Sequence, residues 1–357
     1  MTRSTTLRRR AFCLAGTGAA IAALGAPSLS FAQAPSVANP VKLRFQLDWR
    51  FEAGVTPYVV ALRKGYFAQE GLDVTLNVGS GAAATVTRLA SGTADMGTGD
   101  MSSLAEFAAN NPQVPARAVM VMYEQTPAAV FSLKKANIRT PADLRGKQLA
   151  APINDGARKI FPVFAAANGL DAAKDVSWLS VEPAIRETML ARGQVEAITG
   201  YIASGLISLQ RLGVAPEDIS VMRFSEHGVN LYGNAILASD DFIKQQPQAV
   251  AGCLRAVTRA LKDIVGNRAQ AIASLKEQDP LVDTRIEAMR LGIILDQEIG
   301  VPAVRRNGIG AIDLVRYQQG IEALAGCLEF KSKPEATNLV NASFLPPASS
   351  RMVFPAA

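Results

Sequence analysis

Asp48 and Trp49 stand at the end of an apolar run, Val41 to Leu47. A carboxylate beside an indole suits recognition of a planar solute: the ring offers a large face at low conformational cost, and the carboxylate accepts from N–H groups. Trp49 can equally cap a core. Gly79-Ser80-Gly81 precedes a helical pattern that starts at Ala82. Free backbone N–H groups and the Ser80 hydroxyl there can hold an anionic or carbonyl group, although such residues also serve as plain caps and turns. Asp100, in Gly97-Thr98-Gly99-Asp100-Met101, is either an acceptor for a solute N–H or the N-cap of a helix starting at Ser102. Asn154-Asp155-Gly156 lies between a strand and a helix beginning near Ala157, and Gly200-Tyr201 follows the strand pattern Val195 to Thr199. Tyr123 and Gln125, and Asn230 with Tyr232, flank two further apolar runs, so that aromatic residues collect where a pocket for a planar organic solute would need them.

Strands and helices alternate along the chain, which predicts sheets with parallel strands covered by helices, their ligand sites outside the carboxyl ends of the strands. The strand patterns are Val41 to Leu47, Leu72 to Val78, Ala94 to Thr98, Arg117 to Tyr123 and Ala128 to Leu133, then Gly146 to Ala150, Val176 to Leu179, Val195 to Thr199 and Ile219 to Arg223. The first set and the second set form two separate sheets. The chain is expected to pass between them along Ala128 to Leu133 and back along Tyr232 to Ala238, as in a hinged clam. Helical patterns from Asp240 to Ala325 join the first half, and a loose tail is expected around Leu345-Pro346-Pro347.

Arg8, Arg9 and Arg10 precede an apolar run rich in small residues that ends near Ser30-Phe31-Ala32, the layout of a signal peptide cut after Ala32. The paired arginines before Phe12 allow twin-arginine or Sec export, and Cys13 lacks the residues that precede a lipidated cysteine. Segment 1–32 holds four of the 37 basic residues and none of the 31 acidic ones, so the remainder balances at 33 basic to 31 acidic. With no basic stripe interleaved with aromatics, a nucleic-acid partner is excluded. The length exceeds what one core serves, which predicts two lobes. Cys253 and Cys327 lie on helical patterns and read as small buried apolar residues, with a bridge open to them in an oxidising compartment. His227 is the single histidine, in a loop; no metal site, phosphate loop or hydrolase elbow is present, so neither cofactor nor metal is expected.

Four segments in order carry a family resemblance: LDWRFEAGVTPYVVALRKGYFAQEGLDVTL, GSGAAATVTRLASGTADMGTGDMSSL, PADLRGKQLAAPINDGARK and VNLYGNAILASDDFIKQQPQAV. The chain resembles the periplasmic substrate-binding proteins of ABC transporters, in the branch that includes binders of thiamine pyrimidine precursors, alkanesulfonates, taurine and nitrate. The resemblance implies an α/β, two-lobed type II binding fold with two hinge crossings: residues 33–130 plus 236–345 in one lobe, 131–235 in the other, 346–357 as a tail. It implies a periplasmic monomer that traps a small solute between its lobes and presents it to a membrane permease. The family's cleft is built from strand-end loops and helix N-termini, which assigns ligand contacts to Asp48, Trp49, Ser80, Gly81, Asp100, Met101, Tyr123, Gln125, Asn154, Asp155, Gly156, Tyr201, Asn230 and Tyr232.

No arginine stands at the expected cleft positions, which weighs against dicarboxylates, while helix N-termini alone can hold sulfonate or nitrate. A thiamine pyrimidine precursor fits best, stacked on Trp49 and Tyr201 with Asp48 or Asp100 accepting from its exocyclic amine. Two other classes share the fold. One is a pyrimidine-synthesising enzyme of the resembled group, which depends on a cysteine-rich iron motif and histidine, whereas here His227 stands alone and Cys253 and Cys327 are widely separated; the other is a periplasmic sensor-input protein. No enzymatic activity is expected.

Overall fold

The computed structural model describes residues 39–111 and 113–355; the expected signal peptide, 1–32, lies outside them. The ten strands are β1 (Val41–Gln46), β2 (Leu72–Asn77), β3 (Met96–Asp100), β4 (Ala116–Val121), β5 (Ala128–Leu133), β6 (Lys147–Ala151), β7 (Val176–Ser180), β8 (Ala197–Tyr201), β9 (Ile219–Arg223) and β10 (Asn234–Ser239). They form two five-stranded sheets, ordered β2-β1-β3-β10-β4 and β7-β6-β8-β5-β9.

Neither sheet is wholly parallel. β1 runs parallel to β2 and β3, and β6 to β7 and β8, but β10 is antiparallel to β3 and β4, and β5 to β8 and β9. The reason is how these two strands are entered. β4 and β9 end at the edge where the halves meet, so the chain crosses there and starts the next strand from its neighbours' carboxyl end. Accordingly, Ala128–Leu133 lies wholly in the second sheet and Asn234–Ser239 in the first; the crossings are the links 122–127 and 224–233, not the strands themselves.

The two links run side by side. Met122 and Tyr123 donate their amides to the Asn234 carbonyl at 2.8 and 3.0 Å, Gly233 donates to Tyr123 O at 3.0 Å, and Thr126 to Leu231 O at 2.9 Å. Only a glycine fits at 233, since a Cβ would stand 2.8 Å from that of Tyr123 and 2.9 Å from Pro127 Cδ. Arg316, on the Leu314–Ala325 helix, binds both links: Nη1 and Nη2 donate to Glu124 Oε1 (2.9 Å) and Glu124 O (2.7 Å), and Nε to Asn230 Oδ1 (3.0 Å).

The core of the first half packs Phe45, Val59, Val60, Val257 and Leu261 between its sheet and the helices Thr56–Arg63 and Pro247–Gly266. Each such side chain contributes about 1.5–3 kcal/mol on burial. Phe131, Ile198, Leu190 and Leu209 do the same for the second half. Cys253 sits buried in the first core and Cys327 is half-buried, and both are free thiols. The stretch after Pro346 is not loose. Val353 and Phe354 are buried in the first core, with the Arg305 guanidinium 4.9 Å over the Phe354 ring, because two apolar residues so close to the chain end can still gain by burial.

Candidate functional site

The carboxyl ends of β1, β3, β6 and β8, with the start of β10, border a cleft of about 920 Å³, part of it open to solvent. Its floor knits three strands. Asp48 Oδ1 accepts from Thr98 Oγ1 (2.6 Å) and Oδ2 from Asn234 Nδ2 (2.6 Å), while Gln46 Nε2 ties the ends of β1 and β2 by donating to the carbonyls of Leu47, Asn77 and Val78. Burial raises the Asp48 carboxyl above its ordinary range, and the Thr98 and Asn234 bonds only partly offset it. Trp49, Tyr58, Tyr123 and Tyr201 supply aromatic walls. The Trp49 indole Nε1 is buried with no hydrogen-bond partner among the described residues.

Carboxylates line the same space, and most are already bound to helix N-termini or arginines. Asp155 Oδ1 caps the Gly156–Ala167 helix through Arg158 N (2.9 Å), and its Oδ2 accepts from Arg186 Nη1 (2.9 Å). Arg186 is 3% exposed and also donates to Glu187 Oε1 at 2.6 Å. Its guanidinium lies flat on Gly200, where a Cβ would come within 2.9 Å. Glu52 accepts from Arg50 Nε (2.5 Å) and from Ser204 Oγ in the other half (3.1 Å), and pairs with Arg290 at 3.3 Å. Glu298 Oε1 accepts from Ala203 N (3.1 Å) at the start of the Ile202–Arg211 helix.

The halves are in contact. Tyr201 Oη stands 3.4 Å from Asp100 Oδ2 and 3.3 Å from Asn234 Oδ1. Gly156 leaves room for this hydroxyl, because a Cβ there would lie 2.7 Å from it, and Gly81 sits so close to Asn154 O that its Cβ would be at 2.7 Å. The loop carrying Gly81 folds back on the Asp48–Trp49 corner, with Gly81 N donating to Asp48 O (2.8 Å) and Gly79 N to Trp49 O (3.1 Å).

Of the residues assigned from sequence, Asp48, Trp49, Gly81, Tyr123, Asp155, Gly156 and Tyr201 line the cleft. The others are elsewhere. Ser80, Gln125, Asn154 and Asn230 are exposed and do not line it. Met101 is buried in a core where its carbonyl accepts from Tyr317 Oη (2.9 Å), and Tyr232 is buried with its hydroxyl accepting from Asp313 N (2.9 Å). Asp100, 1% exposed, is a helix cap: Oδ1 accepts from Ser102 N (2.8 Å) and Ser103 N (3.3 Å), and it reaches the cleft only through Tyr201. Burial pushes its carboxyl up to about 6, the Ser102 and Ser103 bonds pulling the other way.

The expectation of a cleft without arginine fails, since Arg50 and Arg186 both line it. Each is engaged by a carboxylate, so neither stands as a bare cation. Sequence reasoning also passed over Glu52, Tyr58, Thr98, Ser204, Asn234 and Glu298. Two carried a readable signal: Asn234 opens an otherwise apolar strand, and Glu298 follows Asp296 and Gln297 within an apolar run. His227 lies outside the cleft, edge-on to Phe164 at 5.9 Å. Among the described residues no group of three or more His, Cys, Asp or Glu is placed to hold a metal, and no helix is long and apolar enough to cross a membrane.

Two sheets joined by two adjacent links around one cleft define the fold of two-lobed, type II periplasmic binding proteins. The structure is similar to that of the alkanesulfonate-binding protein of Xanthomonas axonopodis pv. citri, with a TM-score of 0.68 at 17% identity, over 85% of this chain and 99% of that one. Residues 52–271 match the NMT1/THI5-like family model, and the chain belongs to that family. It is 26% identical over 217 residues to a riboflavin-binding protein of Chloroflexus aurantiacus, spanning 60% of this chain and 60% of that relative's length. It is also 26% identical over 258 residues to a formylaminopyrimidine-binding protein of Halalkalibacterium halodurans, covering 70% of this chain and 76% of the other.

Proposed function

We propose that the protein is the extracytoplasmic solute-binding component of an ABC importer, and that its solute is a planar, amino-bearing nitrogen heterocycle of the thiamine-pyrimidine-precursor kind. The carrying observation is the cleft's pairing of four aromatic walls with carboxylate acceptors. Stacking gives such a solute its affinity, and Asp48 or Glu298 accepts from its N–H groups. The relatives named for formylaminopyrimidine and riboflavin bind planar nitrogen heterocycles and support the same reading.

The two halves act as lobes that close over the solute about the links 122–127 and 224–233, and the closed form docks on a membrane permease. The protein binds its solute without converting it. Export by a twin-arginine or Sec signal would put it in the periplasm as a monomer.

A second reading, an alkanesulfonate, taurine or nitrate binder, draws on one feature. The Ala82–Ala90 helix has no side-chain cap, and Gly81 and Ala82 face the cleft. Against it, the helix N-termini at Gly156 and Ile202 are already satisfied by Asp155 and Glu298, which leaves an anion few free donors and several repelling charges.

Thermal unfolding of the mature protein with formylaminopyrimidine, riboflavin, taurine or nitrate tests this. A ligand at a hundred times its dissociation constant stabilises by about 2.7 kcal/mol. A rise in Tm with a heterocycle and none with the anions is the expected result; the reverse pattern would replace the first reading with the second.

A further inference from the structure

Glu298 belongs to a π-helical turn, Ile294–Ile299, that continues the Thr284–Ile293 helix and brings a carboxyl from late in the chain to the cleft wall. It is 5% exposed. One oxygen, Oε1, accepts from Ala203 N across the cleft at 3.1 Å. Oε2 has no donor among the described residues, and the side chain's remaining exposure is to the cleft it lines. The wall around it is fixed: Arg223 Nη2 donates to Gln297 Oε1 (2.5 Å), and Glu52 holds Ser204, the residue after Ala203. Trp49, whose buried indole N–H has no partner among the described residues, lines the same space.

We infer that Glu298 sets which solutes the cleft admits: Oε1 fills the helix N-terminus where an anion would otherwise bind, and Oε2 takes an N–H of the solute. This deepens the reading of the cleft as a heterocycle site and rests on it for the Oε2 contact. The exclusion of anions rests only on the Glu298–Ala203 geometry. A neutral or cationic heterocycle with an amino group completes the carboxylate's bonding, whereas a sulfonate meets its charge and finds the helix terminus occupied.

Burial pushes the Glu298 carboxyl up to about 7, with the Ala203 amide and Arg223 acting in the opposite direction. Its charge therefore changes near neutral pH. Tyr123 faces it from the first link, and Asp48, Glu52, Asp155, Arg50 and Arg186 share the cleft, with Asp100 behind Tyr201, so its own effect is read as the difference between wild type and Glu298→Gln.

The test is titration calorimetry of the mature protein, Glu298→Gln and Glu298→Ala, against formylaminopyrimidine and ethanesulfonate, with melting curves to establish that each variant is folded. Glu298→Gln keeps an acceptor for Ala203 and keeps the test open if the alanine variant does not fold. Both variants should bind the pyrimidine roughly ten- to a hundredfold more weakly and ethanesulfonate roughly tenfold more tightly. Wild-type affinity for ethanesulfonate should rise as pH falls from about 8 to about 6, and that of Glu298→Gln should change less. Affinities within about threefold of wild type for both probes in both variants would overturn the inference, as would no binding of either probe by any of the three proteins. If wild type prefers ethanesulfonate and the variants tighten it further, the heterocycle reading falls while the exclusion of anions by Glu298 stands.

Discussion

Trp49 brings a flat apolar face to the cleft and a buried N–H with no partner among the described residues. Trp49→Ala should weaken binding of a pyrimidine by about 1–3 kcal/mol, the usual worth of stacking one base on an aromatic ring; calorimetry showing unchanged affinity would assign the indole to packing alone. Asp100 carries a prediction about pH. Its folded carboxyl titrates at about 6, above the ordinary 3.8, so between about pH 4 and 6 the unfolded state loses its proton first and stability falls as pH rises, by up to about 3 kcal/mol. Asp100→Asn keeps a capping side chain and no charge. Its plot of Tm against pH should be flatter than wild type across that window, and an unchanged slope would clear Asp100 of the effect. Residues adjacent to a strand's end, such as Asp48 and Trp49, were legible in the sequence because the pattern that ends the strand also locates the edge. Arg186 was not, and Glu298 showed only as an acidic residue within an apolar run. They reach the cleft through packing between segments far apart in the chain, and local spacing carries no record of that.

The elements themselves were mostly legible. β5 and β9 fall at the residues the periodicity indicates, and the Ala82–Ala90 helix starts where its pattern does, since apolar spacing and flanking breakers agree there. Direction was not legible, because a strand's residues do not say from which end its sheet is entered. The π-turn at Ile294–Ile299 also reads as plain helix; its change of pitch shows only in three dimensions. The Gly79-Ser80-Gly81 loop shows how one backbone choice governs an element's placement. Gly81 adopts φ +136° and ψ 152°, a region essentially reserved for glycine, and abuts Asn154 O in the other half. Gly81→Ala should cost about 1–3 kcal/mol in denaturant unfolding and enlarge the radius of gyration in solution scattering, as the halves part to admit a methyl group. Neither change appearing would mean the loop relaxes without disturbing closure.

At the scale of the whole molecule, the C-terminal helices do more than cover the first sheet. Arg316 grips both links, and Glu298, Gln297 and Arg290 touch the second half through Ala203, Arg223 and Ser208. The clam therefore has a third participant. Arg316→Ala should leave each half folded, as judged by circular dichroism, and widen the distribution of interlobe distances between spin labels; an unaltered distribution would show that the paired links suffice alone.

The strand order also dictates a sequence of events at birth. β10 lies between β3 and β4, so the first sheet stays in two pieces until residue 239 is available, whereas every strand of the second sheet lies within 128–223. Long-range pairing of this kind is slow, because loop closure must come before its contacts stabilise anything. The later-made half thus has all its strands available before the earlier-made half does. Pulse-labelled hydrogen exchange during refolding should find amides of β5 and β8 protected before those of β3 and β4, so that a chain interrupted before residue 234 would hold one finished sheet and no cleft.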